Sequence, residues 1–121
     1  MSKAQNSKQY DLEDRTLAFA KDVRSFVKKL PKTLANIEDG RQLIKASGSV
    51  GANYIEANEA LSKKDFIMRI KICRKEGKES RYWLRLICTE DSRELEEERR
   101  DLKREASELT SIFGSILTKS S

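Results

Sequence analysis

Apolar residues along the chain recur at alternating spacings of four and three, which is the period of one face of an α-helix. The clearest of these runs comprises Phe66, Ile70, Cys73, Gly77, Ser80, Leu84 and Ile87. The chain has no internal repeat, no low-complexity tract and no hairpin signal. We therefore predict four helices, over residues 11–30, 37–61, 63–88 and 90–117.

Residues that typically stop or cap a helix lie at the ends of these segments. Pro31 stops the first helix, because the residue before proline is pushed out of the helical region. Ser62 and Asp65 have the spacing of an N-terminal cap for the third helix. A length of 121 residues suits one domain, residues 1–121. Long helices joined by short turns predict an all-α fold, an antiparallel up-down-up-down four-helix bundle.

The second helix contains two glycines at its centre, Gly48 and Gly51. Each costs about 1 kcal/mol relative to alanine inside a helix, so a compensating contact is expected. Close approach of another helix supplies one, and we assign both residues to an interface. A phosphate-binding loop is rejected, because no strand precedes the segment and no Lys-Ser/Thr pair follows it.

Composition excludes most kinds of catalytic site. The chain has no histidine and two cysteines. The Ser-His-acid triad, the Cys-His dyad, the Glu-x-x-His di-iron site and four-ligand zinc sites are therefore excluded. Two Glu pairs at i, i+3 spacing, Glu56 with Glu59 and Glu76 with Glu79, leave a weak alternative of a metal-dependent enzyme. Polar contacts between helices explain them more simply, and we expect no catalytic residue, no metal site and no cofactor.

Charge is spread unevenly along the chain. The net charge is +5, and the segment 63–88 alone has 9 basic and 3 acidic residues. The segment 89–121, in contrast, has 6 basic and 9 acidic residues. Five of the basic side chains follow the 3, 4 spacing of one helical ridge, with Lys75 close by. The candidate nucleic-acid-binding residues are Lys71, Arg74, Lys75, Lys78, Arg81 and Arg85.

This set of residues, which we call the basic ridge, has two interpretations. It binds the phosphates of a polyanion, or it pairs with acidic residues of a neighbouring helix in the same or another subunit. Arg81 is the member for which a structural pairing, with Glu56 or Glu59, is most plausible.

Aromatic residues near the ridge suggest a second interface. Trp83 lies one position off the core stripe, beside Tyr82, and Tyr54 lies on the preceding helix. Trp83 either anchors an interface or packs at the edge of the core. We assign Tyr54 and Trp83, with the two glycines, to the interface set.

The chain is expected to be cytoplasmic. Residues 1–10 are polar and lack the apolar core of a signal peptide. No apolar run approaches the ~20 residues that span a bilayer. Cys73 and Cys88 are then reduced, and both are interpreted as small buried apolar residues.

Several strings resemble a known bacterial family, the four helix bundle proteins encoded in intervening sequences of 23S ribosomal RNA genes. The resemblance covers roughly residues 12–87. The strings that carry it are Leu17 to Ala20 with Val23, Leu30 to Thr33, Gln42 to Ala57, Ser62 to Phe66, Lys75 with Glu76, and Glu79 to Leu84. One departure is Gly77, where the family usually has alanine; glycine there either loosens the third helix or admits a bulky neighbour.

The resemblance implies a ring-shaped homopentamer and no enzymatic activity. It also relates the chain to the accessory variability determinant of diversity-generating retroelements, a basic pentamer that binds nucleic acid and a reverse transcriptase. The expected function is a non-enzymatic, homo-oligomeric bundle that binds RNA or another nucleic acid through the basic ridge. The alternative is a protein–protein adaptor, for example accessory to a reverse transcriptase, without direct nucleic-acid binding.

Overall fold

Four helices account for nearly all of the structure, a computed structural model that describes the backbone of residues 3–120 and the side chains of residues 12–120. The helices are α1 (Lys3–Lys28), α2 (Leu34–Asn58), α3 (Lys63–Leu86) and α4 (Arg93–Ser120). No strand occurs among the residues with a described backbone. The side chains of residues 1–10, on which the signal-peptide argument depends, lie outside the described set.

Helix boundaries follow local chemistry. Thr33 caps α2 by accepting a hydrogen bond from the Asn36 backbone N–H at 3.1 Å, so the helix begins three residues before the predicted start. The predicted Ser62 cap of α3 is confirmed, since its hydroxyl accepts from Asp65 N–H at 3.1 Å. The second helix ends at Asn58, and Leu61, the last residue of the predicted segment 37–61, is 98% exposed in the turn.

The connection between α3 and α4 contains two left-handed residues. Glu90 has φ 55° and Asp91 has φ 64°. The Ser92 N–H donates to the Thr89 carbonyl at 3.2 Å across this turn. Positive φ at both central residues is typical of a type I′ turn and cannot continue a helix. The fourth helix therefore begins at Arg93 rather than at residue 90.

The core lies along the predicted stripes. Phe19, Phe26, Leu43, Ile70 and Phe113 are among its largest fully buried side chains. Every predicted stripe position in α3 from Ile70 onward is buried, including Gly77 and Ser80. Burying a large apolar side chain contributes about 1.5–3 kcal/mol, so this shared core is the main stabilising feature.

Among the described residues, each helix packs against two others. Contacts join α1 to α2, α2 to α3, α3 to α4, and α4 back to α1. Arg69 near the start of α3 meets Asn53 near the end of α2 at 2.9 Å, and the Cys73 thiol further along α3 donates to the earlier Val50 carbonyl at 3.4 Å. The outer surface of α3 is therefore bounded by α2 on one side and α4 on the other.

Candidate nucleic-acid interface

The basic ridge lies on the exposed surface of α3. Its positions fall between core positions of the 3, 4 repeat, so the fold that buries the stripe turns these side chains outward. All six members are exposed. Lys71, Arg74, Lys75 and Lys78 line a shallow groove of about 330 Å³, with Glu79 at its edge. The structure thus brings together four of the six predicted residues in one groove, while Arg81 and Arg85 lie further along the same helix.

None of the ridge cations forms an ion pair with any side chain in the described part of the chain. Pairing with the acidic fourth helix of the same chain, one of the two interpretations, is therefore wrong for these residues. The six like charges repel one another, and the nearby Glu76 and Glu79 are too few to balance them. The arrangement favours an external polyanion or the carboxylates of another subunit.

The acidic residues of α4 are engaged elsewhere. Arg15 of α1 donates to the Glu105 carboxylate at 2.7 and 2.8 Å and to Glu108 at 2.7 Å. These bonds and the nearby negative charges raise the pKa of Arg15. Lys29, directly after α1, pairs with Glu94 and Glu98. These four α4 carboxylates therefore pair with Arg15 and Lys29 rather than with α3.

The ridge arginines Arg74 and Arg81 lie at different positions along α3. Arg74 lies over α4, where its Nε is 3.8 Å from the position that a β-carbon on Gly114 would occupy. The expected pairing of Arg81 with Glu56 or Glu59 is wrong. Arg69 lies opposite Asn53, so Glu56 and Glu59 lie between that contact and the α2–α3 turn. Arg81 lies more than three helical turns from Arg69 in the opposite direction, too far away to pair with them.

The basic surface extends beyond the predicted ridge. A second groove, of about 480 Å³, is lined by Lys63, Lys64, Ile67, Met68 and Lys71. It adjoins the first groove through Lys71. The charge count of the segment 63–88 includes Lys63 and Lys64, but the apolar Ile67 and Met68 interrupt the row of basic side chains between them and Lys71.

The two Glu pairs do not come together. The α2–α3 register that places Asn53 opposite Arg69 separates Glu56 and Glu59 from Glu76 and Glu79 along the bundle. No group of three or more carboxylates and thiols that could hold a metal occurs among the described residues. Glu76 instead lies in a groove between α2 and α3, where burial first and the nearby Glu79 second raise its pKa.

Three of the four predicted interface residues, Gly48, Gly51 and Tyr54, lie beside other helices of the same chain. A β-carbon on Gly51 would lie 2.9 Å from Thr16 Oγ1, so α1 packs tightly against α2 there. Gly48 is looser, since its nearest neighbour would be the flexible end of Arg24 at 3.5 Å. Tyr54 is 2% exposed and its ring lies 5.9 Å from that of Phe113, so it is a core residue rather than a surface anchor.

Trp83 lies at the edge of the core. It is half-buried, packs against the core, and lines the α2–α3 groove of about 230 Å³ with Lys45 and Ser49. Its ring makes an edge-to-face contact with Tyr82, with ring centroids 5.1 Å apart. The core-edge interpretation therefore accounts for its contacts within the chain.

Comparison with known proteins identifies the family. A family model described as 23S rRNA-intervening sequence protein matches residues 8–115. The chain belongs to the 23S rRNA-intervening sequence protein family. The crystal structure of a protein of unknown function from the S23 ribosomal protein family of Bacteroides thetaiotaomicron is similar, with a TM-score of 0.72 and 27% identity. The match covers 87% of this chain and 96% of that one. No curated protein matches the chain.

Family membership confirms the resemblance carried by the strings between Leu17 and Leu84, and the match reaches into α4, where the strings are weak. None of the helices in the described residues combines the length and apolar character needed to cross a membrane.

Proposed function

We propose that this member of the 23S rRNA-intervening sequence protein family is a non-enzymatic, cytoplasmic, homo-oligomeric bundle that binds RNA or another nucleic acid through α3. The observation that carries the proposal is the basic ridge, exposed and without an ion-pair partner among the described residues. Lysine and arginine side chains in a row bind phosphates by displacing condensed counterions. Four α4 carboxylates pair with Arg15 and Lys29 instead of with the ridge, and the segment 63–88, which contains α3, has 9 basic and 3 acidic residues.

The helix contacts support an antiparallel up-down-up-down arrangement. The order of contacts between α1 and α4 is reversed along the chain. Arg15, at the middle of α1, pairs with Glu105 at the middle of α4, whereas Lys29, directly after the end of α1, pairs with Glu94 at the start of α4. Arg69 with Asn53 and Cys73 with Val50 follow the same opposed order between α2 and α3.

Exposed apolar side chains support self-association. Large apolar residues with about half or more of their surface exposed include Leu17, Leu34, Ile37, Ile55, Leu61, Met68 and Leu86. Such residues mark an interaction surface where they form a contiguous patch, as Met68 does with Ile67 in the groove beside Lys64. A ring-shaped homopentamer, which the family resemblance implies, would bring five basic ridges into one assembly. Their fields would add, so a modest charge per chain would become a strong attraction for a polyanion.

A second candidate function is a protein–protein adaptor, for example one accessory to a reverse transcriptase. A groove of about 300 Å³ between α1 and α2 favours it, since Val27, Ile37 and Ile44 line this groove with partly exposed apolar surface. An apolar groove of this kind fits a partner helix or loop.

The two candidates are separated by measuring mass and binding on the same sample. Light scattering gives the oligomer mass, and fluorescence anisotropy gives the affinity for a labelled 20-nucleotide RNA at low salt. The proposal predicts an oligomer that binds the RNA. A monomer at micromolar concentration would contradict self-association. An intact oligomer that binds neither RNA nor DNA would contradict nucleic-acid binding and favour the adaptor.

A further inference from the structure

The outer surface of α3 carries an aromatic ring in line with its lysines. Lys71, Lys75, Lys78 and Tyr82 follow one another at spacings of four, three and four, so they share one face of the helix. All four are exposed, and Tyr82 is 52% exposed. Tyr82 therefore lies on the same helix face as the lysines of the groove, about one turn beyond Lys78.

Tyr82 is held in place without being covered. Its ring makes an edge-to-face contact with Trp83 at an interplanar angle of 74°, and Trp83 is itself packed against the core. A tyrosine has two side-chain torsions and loses little entropy on binding, particularly when a neighbour already restricts it. No core contact explains an aromatic ring at this outward position, because the α3 stripe is completed by Ser80 and Leu84.

A cationic row that ends on an exposed aromatic ring is the arrangement that binds single-stranded nucleic acids. Basic side chains follow the backbone while aromatic rings stack on the bases, and stacking tolerates any base because each has a π-face. In a duplex the bases are already stacked and paired, so an aromatic ring on a convex helix surface cannot reach them without opening the helix.

We propose that Tyr82 is a base-stacking residue that makes the α3 surface select single-stranded nucleic acid over duplex. The selection has two parts: Lys71, Lys75 and Lys78 bind phosphates of either form, and Tyr82 adds a contact that only unpaired bases make. This inference rests on the proposed function, since it requires that α3 bind nucleic acid.

The test uses three probes with the full chain: a labelled 20-nucleotide oligoadenylate RNA, an RNA duplex of equal length, and inorganic polyphosphate, which has no bases. The wild type is expected to bind oligoadenylate more tightly than the other two. Tyr82→Ala should weaken oligoadenylate binding by about 5-fold or more, the lower end of measured stacking contributions. Its affinity for duplex and polyphosphate should stay unchanged, as should the salt dependence, because no charge is removed.

Tyr82→Phe is the matched control, because it keeps the ring and removes only the hydroxyl; it should bind oligoadenylate like the wild type. Quenching of the single tryptophan, Trp83, by oligoadenylate provides a second readout, which Tyr82→Ala should reduce. Equal losses on all three probes, no loss on oligoadenylate, or a changed oligomer mass in Tyr82→Ala would overturn the stacking role; the last would make Tyr82 a subunit contact. A wild type that binds none of the probes would instead overturn the proposed function itself.

Discussion

Thr110 of α4 occupies the space beside Gly77 of α3 that a side chain would otherwise fill. A β-carbon on Gly77 would lie 2.7 Å from Thr110 Oγ1, closer than such atoms approach in real structures. The Thr110 hydroxyl is fixed there by its own hydrogen bond to the Ala106 carbonyl at 2.7 Å. Glycine at this position, where the family usually has alanine, was expected either to loosen the third helix or to admit a bulky neighbour. The structure supports the second explanation, with Thr110 as the neighbour.

The first prediction concerns this pair. Gly77→Ala should lower the free energy of unfolding, because overpacking costs about 1–3 kcal/mol and exceeds the gain of up to ~1 kcal/mol in helix propensity. In a Thr110→Ala background the same change should be stabilising, since the clashing hydroxyl is gone. Urea unfolding of the four proteins, followed by circular dichroism at one protein concentration, measures the coupling. Equal effects of Gly77→Ala in both backgrounds would show that Thr110 is not the obstacle.

The second prediction compares the two glycines of α2. Gly51→Ala should be destabilising, because its β-carbon meets Thr16 Oγ1 at 2.9 Å and Thr16 Cβ at 3.2 Å. Gly48→Ala is the matched control; it meets only the movable end of Arg24 and should gain up to ~1 kcal/mol. Melting temperatures of the two variants, measured side by side, should move in opposite directions. A shift in the same direction would contradict the tight α1–α2 contact at Gly51.

The third prediction concerns acid stability. The Thr89 hydroxyl first and the Arg99 guanidinium second hydrogen-bond the Glu96 carboxylate and lower its pKa below the ordinary 4.5. Arg99 also donates to the Leu84 carbonyl at 3.1 Å, which links Glu96 to the end of α3. A lowered pKa means that the ionised form stabilises the fold above pH 4.5 and that this contribution is lost as the pH falls further.

Glu96→Gln should therefore be less stable than the wild type at pH 7 and should lose less stability on acidification below pH 4.5. Glu76→Gln is the control of opposite sign. Burial raises the pKa of Glu76, so its ionisation lowers the free energy of unfolding as the pH rises from 4.5. The uncharged Gln side chain should remove that loss of stability. Urea midpoints between pH 3 and 7 measure both; pH profiles of Glu96→Gln and wild type that coincide would refute the role of the hydrogen bonds.

The fourth prediction concerns the two thiols, both of which were expected to be buried. Cys73 is buried, and burial raises the pKa of its thiol to about 12. Cys88 is exposed, which corrects that expectation. Because the thiolate is the reactive form, iodoacetamide at pH 8 should add one label to the folded protein and two after denaturation. Mass spectrometry of Cys88→Ser should then show no rapid label, and a rapid label on that variant would contradict the burial of Cys73.

Much of the fold is readable from the sequence because one physical rule dominates it. The 4, 3 repeat marks the side of each helix that must leave water, and Phe19, Ile70 and Phe113 are buried as that rule requires. The rule fails where another effect takes over. The left-handed backbone of Glu90 and Asp91 shifts the start of α4 to Arg93. Leu61 keeps the spacing of the repeat, but α2 has already ended at Asn58.

The candidate site is only partly readable for a different reason. Helical spacing alone places Lys71, Lys75 and Lys78 on one ridge. Whether a ridge is neutralised depends on which helices are neighbours and which way their carboxylates face. Glu105 is closer in sequence to α3 than to α1, yet it bonds Arg15, ninety positions away. The partner of each carboxylate is set by how the helices pack across the bundle, and this packing leaves no periodic signal in the sequence.

The most direct test of the central claim is the salt dependence of RNA binding for a ridge variant and a matched control. Lys71→Ala/Lys78→Ala removes two ridge cations. Lys21→Ala/Lys28→Ala removes two exposed cations from α1, whose described residues do not pack against α3. The ridge variant should keep its oligomer mass and lower the magnitude of the log–log salt slope by about 2, roughly 1 for each phosphate that is no longer bound, while the control keeps the wild-type slope. Identical slopes for ridge variant and control, or a ridge variant that fails to assemble, would contradict phosphate binding by α3.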